Sequence, residues 1–523
     1  MSDVRTDSGA RTESIFVTAD HKRLGRAQAI LALVLLAVAG AGSLAVMAQA
    51  AGGEVQKFES LWSLHDAFAG VFVVLPLWLG LAAVVVPLQI GTTRLAFPLL
   101  QSLTLWTLIG GAVLVLAGYA MTPAPFADRS VFSSIPVPAV LEGDTRGADL
   151  MTMGMLLGAL ATLAAALNLV TTIATRRAPG LTLGRLPYFS WSVLVGGVAV
   201  LLATPVFVAG LLVVWMDQHF GGSVFETEGM EFLWTHAVWL GGRPEAFLGL
   251  VFALGAGSDI VATATRRGLV ADKPARAGIA AVATLSFVAW AGGPDAVDSV
   301  LAPFVDPVSL LPALAAGAVV LTWLLNFRHG ARTHAALIPI VAALSLGVVA
   351  ALNAALRAAS EVEVGTGWGR ASLTLVAVAI PVTAAVGAAV HWAPKVAGRR
   401  LSMGAGAVTG LALAGGFALL QASAALLGAD GAPRYSAAGF AEDSHQQLAL
   451  LGAVGVVLIA FAVLRLLAAV AMPTREGLGA DPYGTGLTLE WLTASPPARH
   501  NFDAVPEVRS ATPLVDARSG GST

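Results

Sequence analysis

The 523-residue chain is 56% apolar and only 12% charged, with a formal net charge of −2 and no cysteine. Soluble domains carry about 25% charged residues, so the composition excludes a soluble globular enzyme and points to a chain dissolved in lipid. The near-neutral balance offers nothing to nucleic acid, and the missing thiols exclude disulfides, thiolate-ligated clusters and cysteine nucleophiles.

In chain order, residues 1–20 are polar and lack the apolar region of a cleavable leader, so the first apolar stretch itself directs insertion. About twelve stretches long enough to cross a hydrocarbon layer of about 30 Å follow, at 27–50, 64–90, 103–122, 151–175, 189–215, 233–264, 276–292, 308–327, 334–356, 371–394, 403–428 and 446–472. The fold class is an all-α membrane protein of about twelve transmembrane helices. It divides into a cytoplasmic amino-terminal segment, 1–26, a membrane domain, 27–472, and a cytoplasmic carboxy-terminal tail, 473–523. The tail is rich in Pro, Gly, Ser and Arg and is expected to be extended, held by contacts to the body or a partner.

Basic residues set the orientation, because Lys and Arg near span ends stay on the cytoplasmic side. Loops after even-numbered spans carry Arg94, then Arg176, Arg177 and Arg185, then Arg266, Arg267, Lys273 and Arg276, then Arg328 and Arg332, then Lys395, Arg399 and Arg400. The loop 216–232 holds Asp217, Glu226, Glu228 and Glu231 without a basic residue, and 293–307 holds Asp295, Asp298 and Asp306 without one. Both termini are therefore expected in the cytoplasm.

Within this pattern GGRPEAF at 241–247 stands out, since an arginine at a span centre costs about 2.5–3.5 kcal/mol. Three readings of Arg243 stay open: a guanidinium paired with Glu245 or a backbone carbonyl, a helix-start residue beside Pro244 reaching to water, or a site for an anion such as a lipid phosphate. Small residues crowd 404–429, which reads as close helix packing. Of the histidines, His391 lies near a span end and His21, His219, His329, His334, His445 and His500 read as solvated loop or tail residues. None has another histidine three or four residues on, the spacing of a helical metal clip.

Several stretches together resemble subunit I of the heme-copper oxidases, the cytochrome c oxidase type, especially its actinobacterial branch. TADHKRLG at 18–25, the His65 segment running into VPLQIGTTRLAFP, NLVTTIATRRAPGLTLGRLPYFSW at 168–191, TPVFVAGLLVVWMDQHFG at 204–221, HWAPKVAGR at 391–399 and DPYGTGLTLEWLTASPPARHNF at 481–502 occur in family order. The resemblance implies twelve helices around a low-spin heme a, a high-spin heme a3 and a copper ion, ligated by six histidines. Imidazole suits both metals, offering a neutral nitrogen lone pair.

Local alignment to the family's ligands finds one retained, His65, on the low-spin heme. Its opposite ligand aligns with Thr374, the high-spin heme ligand with Ser372, and the three copper ligands with Arg243, Gly292 and Gly293. The family's oxygen-chemistry tyrosine aligns with Phe247. Glu245 keeps the place of the internal proton-relay glutamate, while the two proton-channel entrance positions fall on Arg94 and Val319.

The resemblance thus implies an oxidase subunit I paralogue without a catalytic centre: no catalytic residue, no copper and no heme, with one heme on His65 as the alternative. The function expected is a non-catalytic respiratory-complex or assembly subunit, partnered by membrane lipids and a subunit II-like or other respiratory-complex protein. A single-heme electron carrier through His65 and a small-solute or ion transporter using the Arg243/Glu245 pocket are the alternatives.

Overall fold

The computed structural model describes residues 18–51, 68–121, 146–220, 228–288, 311–358, 374–430, 443–471 and 477–520. They form an all-α bundle with one helix over each predicted stretch: α1 His21–Ala51, α2 Val74–Gln89, α3 Pro98–Met121, α4 Arg146–Thr175, α5 Tyr188–Phe220, α6 Glu228–Thr265, α7 Asp272–Val288, α8 Leu311–Phe327, α9 Leu337–Ala358, α10 Ile380–Ala397, α11 Met403–Ala429 and α12 Asp443–Ala471. Among the described residues nine of these, not twelve, are long and apolar enough to cross a membrane; Leu311–Phe327 and Leu337–Asn353 are shorter apolar helices. The described part of α7 carries Asp272, Lys273 and Arg276 in its first turns. Helix α1 starts at His21. Asp20 stops the chain there, its carboxylate accepting the Lys22 backbone N–H at 3.0 Å as a helix cap does.

The centre of the bundle is α2. Its sequence, VLPLWLGLAAVVVPLQ, is apolar on every face, and a helix of that kind is stable only when protein surrounds it. All of its residues are buried. Short π-helical turns, Phe68–Val73 and Leu375–Ala379, lead into α2 and α10. Elsewhere small residues set the spacing. A Cβ on Gly111 of α3 would lie 2.7 Å from the Gly154 carbonyl oxygen of α4, and one on Gly416 of α11 would lie 2.6 Å from that of Gly455 in α12. The backbones of each pair touch, as the glycine-rich run at 404–429 predicts.

Beyond α12 the tail folds back across the end of the bundle that bears the basic loops. It includes a 3-10 turn, Leu489–Leu492, an isolated bridge between Leu478 and Ser495, and a short helix α13, Pro513–Gly520. Asp481 organises its first bend by accepting the backbone N–H groups of Tyr483, Gly484 and Gly486. Val508 N–H donates to Pro179 O at 2.9 Å, joining the tail to the loop after α4. Leu489, Glu490 and Trp491 are at most 1% exposed, so this stretch is a fitted cover over the body.

Candidate functional site

Polar side chains that end an apolar helix must find partners if protein covers them. Beneath the tail they find one another. Gln89, the last residue of α2, donates from Nε2 to Asp259 Oδ2 at 2.9 Å and to Glu490 Oε1 at 3.0 Å, while its Oε1 accepts from the Ser190 hydroxyl at 2.7 Å. Asp259 of α6 also accepts the backbone N–H groups of Tyr188 and Phe189 at 3.0 and 3.1 Å. It therefore caps the first turn of α5 from a neighbouring helix, where the orphan N–H groups and the helix dipole favour a carboxylate. Glu490 accepts at Oε1 from Trp392 Nε1 at 3.4 Å, and its Oε2 has no partner among the described residues. Burial pushes the Glu490 carboxyl above its ordinary range.

Next to this carboxyl cluster, Lys395 at the end of α10 points into the tail. Its Nζ donates to the carbonyls of Ala480, Thr493 and Ala494 at 2.8, 2.6 and 3.3 Å and lies 5.2 Å from the Trp491 ring centre. His391, one turn earlier, places Nδ1 3.3 Å from Nε2 of His334, in the loop before α9. The Ala336 N–H donates to His334 Nδ1 at 3.2 Å, which assigns the remaining His334 proton to Nε2 and makes His391 the acceptor. Burial, reinforced by the Arg400 charge, pulls His334 down to about 4. The Tyr483 ring lies parallel to His391, and burial raises its phenol, keeping it neutral.

A third contact ties down the start of the chain. Asn501 donates from Nδ2 to Thr92 O and to His21 Nε2, both at 2.9 Å, and accepts the Lys22 ammonium at 3.1 Å. His21 Nδ1 then donates to Ala83 O at 2.6 Å. Tail, α1, α2, α6 and α10 meet in one buried polar layer. Chemically the layer is a lock: its donors and acceptors are mostly paired within the protein, and backbone carbonyls take the Lys395 charge.

The family described as Cytochrome C and Quinol oxidase polypeptide I matches residues 23–469. The chain belongs to this oxidase polypeptide I family. A putative cytochrome c oxidase subunit 1-beta of Streptomyces avermitilis is 31% identical, over 95% of this chain and 91% of that protein. Quinol oxidase subunit 1 of Bacillus subtilis is 28% identical, over 94% and 78%. A chain of a solved heme-copper terminal oxidase dimer superposes with a TM-score of 0.68 at 14% identity, covering 96% of this chain and 90% of that one. At that identity the likeness is one of fold, and it makes this a multi-span membrane protein of the heme-copper oxidase architecture.

Against the oxidase polypeptide I pattern, His65, Gly292, Gly293 and Ser372 lie outside the described residues. Arg243 and Glu245 fall on the helical backbone of α6. Phe247, on the same helix, packs half-buried against the core. Thr374 is half-buried at the residue preceding the π turn of α10, its hydroxyl unused as a cap. A threonine hydroxyl is a harder and weaker metal ligand than imidazole, and the phenyl ring of Phe247 carries no hydroxyl. Among the described residues, neighbouring helices pack closely here. A Cβ on Gly249 of α6 would lie 2.6 Å from Val74 Cγ1 and 2.8 Å from Pro381 Cγ, so α2, α6 and α10 touch there. Trp78, Phe189 and Trp392 continue that filling toward the tail, with ring centres 6.0 and 4.8 Å apart.

Reading the sequence missed the polar layer. It took His334 and His21 for solvated residues, yet they are 7% and 2% exposed, and it treated Glu490 only as part of a motif. One available signal was the pairing of unlike polar residues with span ends: Gln89 closes an unbroken apolar run, and Lys395 follows Pro394 inside a helix.

Proposed function

We propose that this oxidase polypeptide I homologue is a non-catalytic subunit or assembly partner in a respiratory-type complex of the bacterial cytoplasmic membrane. In this reading all twelve helices cross, both termini face the cytoplasm, and the oxygen-reduction centre is gone. What carries it is the set of side chains at the aligned ligand positions. Arg243, Gly292 and Gly293 at the copper ligands and Ser372 at the high-spin heme leave no imidazole for either metal. A single lost ligand is open to compensation by a neighbour, whereas four together remove the site. The poor fit of Thr374 and Phe247 supports the same conclusion. Its relatives are named as subunits, which supports a place beside other chains.

The test is heme and copper content of the purified protein, with oxidised and dithionite-reduced spectra. The expected result is neither metal nor heme bands. One heme lost on His65→Ala would replace the scaffold reading with a single-heme electron carrier. Two hemes with copper would overturn the assignment of the ligand positions.

A further inference from the structure

Arg465 sits on α12 six residues before Ala471, and it is exposed. With α12 running from Asp443 to Ala471, Arg465 is about 12 Å from the helix midpoint, inside the roughly 15 Å half-thickness of a bilayer core. Around it the surface is apolar: Phe461, Leu464 and Val457 on α12 and Val408 on α11 are 45%, 61%, 52% and 46% exposed. Its contacts are with neutral groups. Nε donates to the Thr409 hydroxyl of α11 at 3.4 Å, and the guanidinium lies 5.6 Å from the Phe461 ring centre. Among the described residues no carboxylate pairs with it.

A guanidinium at the hydrocarbon edge needs an anion, and arginine's fork of donors matches phosphate oxygens in pairs. Phe461 and Thr409 hold the guanidinium against the α11/α12 seam. The seam between α11 and α12 thus offers apolar surface for acyl chains with one cation at its basic-loop end. We propose that Arg465, steadied by the Thr409 hydroxyl, binds a phospholipid phosphate seated in the α11/α12 seam.

Native mass spectrometry of the full-length protein in detergent tests this with three probes: phosphatidylglycerol, diacylglycerol with the same chains, and inorganic phosphate. Wild type is expected to retain phosphatidylglycerol over diacylglycerol, and Arg465→Leu to weaken that retention about tenfold, the loss of a charge-assisted contact. Arg465→Gln, of similar length and uncharged, gives the same loss where the leucine variant fails to fold, and Arg465→Lys is expected to restore part of it. Equal retention by the neutral variants overturns the proposal. Equal binding of diacylglycerol means the seam reads chains alone, and displacement by inorganic phosphate at equal concentration means a bare anion site; either result refutes the lipid assignment. Release of all three probes on adding an acidic membrane-helix peptide, with none bound to the protein as purified, would assign the arginine to a partner helix.

Discussion

Replacing Lys395 with methionine removes the ammonium while keeping an unbranched stem of similar length. The side chain is 1% exposed, and its three hydrogen bonds all reach tail carbonyls, at 2.8, 2.6 and 3.3 Å. A hydrogen bond to a charged group contributes about 1.5–3 kcal/mol, so the two short ones together are worth about 3–6 kcal/mol. Part of that is returned, because the variant no longer buries a charge. The net cost expected is about 3 kcal/mol, or roughly a hundredfold in the equilibrium between the docked and the lifted tail. Hydrogen exchange in detergent reads this directly. Amides of Trp491 and Thr493, which donate within the 3-10 turn, should exchange about a hundredfold faster, while those of α2 and α6 stay as slow as in wild type. Trypsin should cut at Arg499 and Arg509 faster by a similar factor. Unchanged exchange in the turn would mean that the tail is held by its apolar residues and that the lysine is incidental.

Burial raises the Glu490 carboxyl above its ordinary 4.5, so the folded protein holds a proton that the unfolded chain releases. Stability is therefore expected to fall as pH climbs above 4.5, and Glu490→Gln should melt higher than wild type at pH 8 and converge with it in acid. For His334 the sign is opposite in pH: its value is lowered from 6.5 to about 4, so stability is complete above 6.5 and is lost as pH falls toward 4. That loss amounts to about 3 kcal/mol, and His334→Gln should remove it from the melting curve between pH 6.5 and 4.

The helices were legible because each lies over a long apolar run of the sequence, and that signal lies within one segment. The seam glycines at 404–429 were legible for the same reason, being a local run of small residues. The polar layer was not. Gln89 and Glu490 are 401 residues apart, His334 and His391 are 57, and His21 and Asn501 are 480. No periodicity links such pairs, and each residue taken alone reads as the solvated end of a helix. The tail illustrates the gap. Its Pro, Gly, Ser and Arg content reads as an extended tail held by contacts to the body or a partner, and only the packed fold shows Trp491 and Glu490 turned inward. At the family's ligand positions the relation reverses: the proposed replacement of histidine by Arg243, Gly292, Gly293, Ser372 and Thr374 rests on the letters alone.

The tail follows all twelve helices in chain order, and this imposes a schedule on biosynthesis. Gln89 meets its partner Glu490 401 residues later, which at about 5–20 residues per second is roughly 20–80 s of translation. Until the tail is made, Gln89 and Lys395 stand at the unfinished bundle end without the carboxylate and the carbonyls that it supplies. A nascent chain is thus half-assembled and polar-ended until the tail is made. A ribosome stalled just after α12 would leave in the membrane a complete set of helices with an open end, a form that quality-control proteases could tell from the finished protein by that end alone.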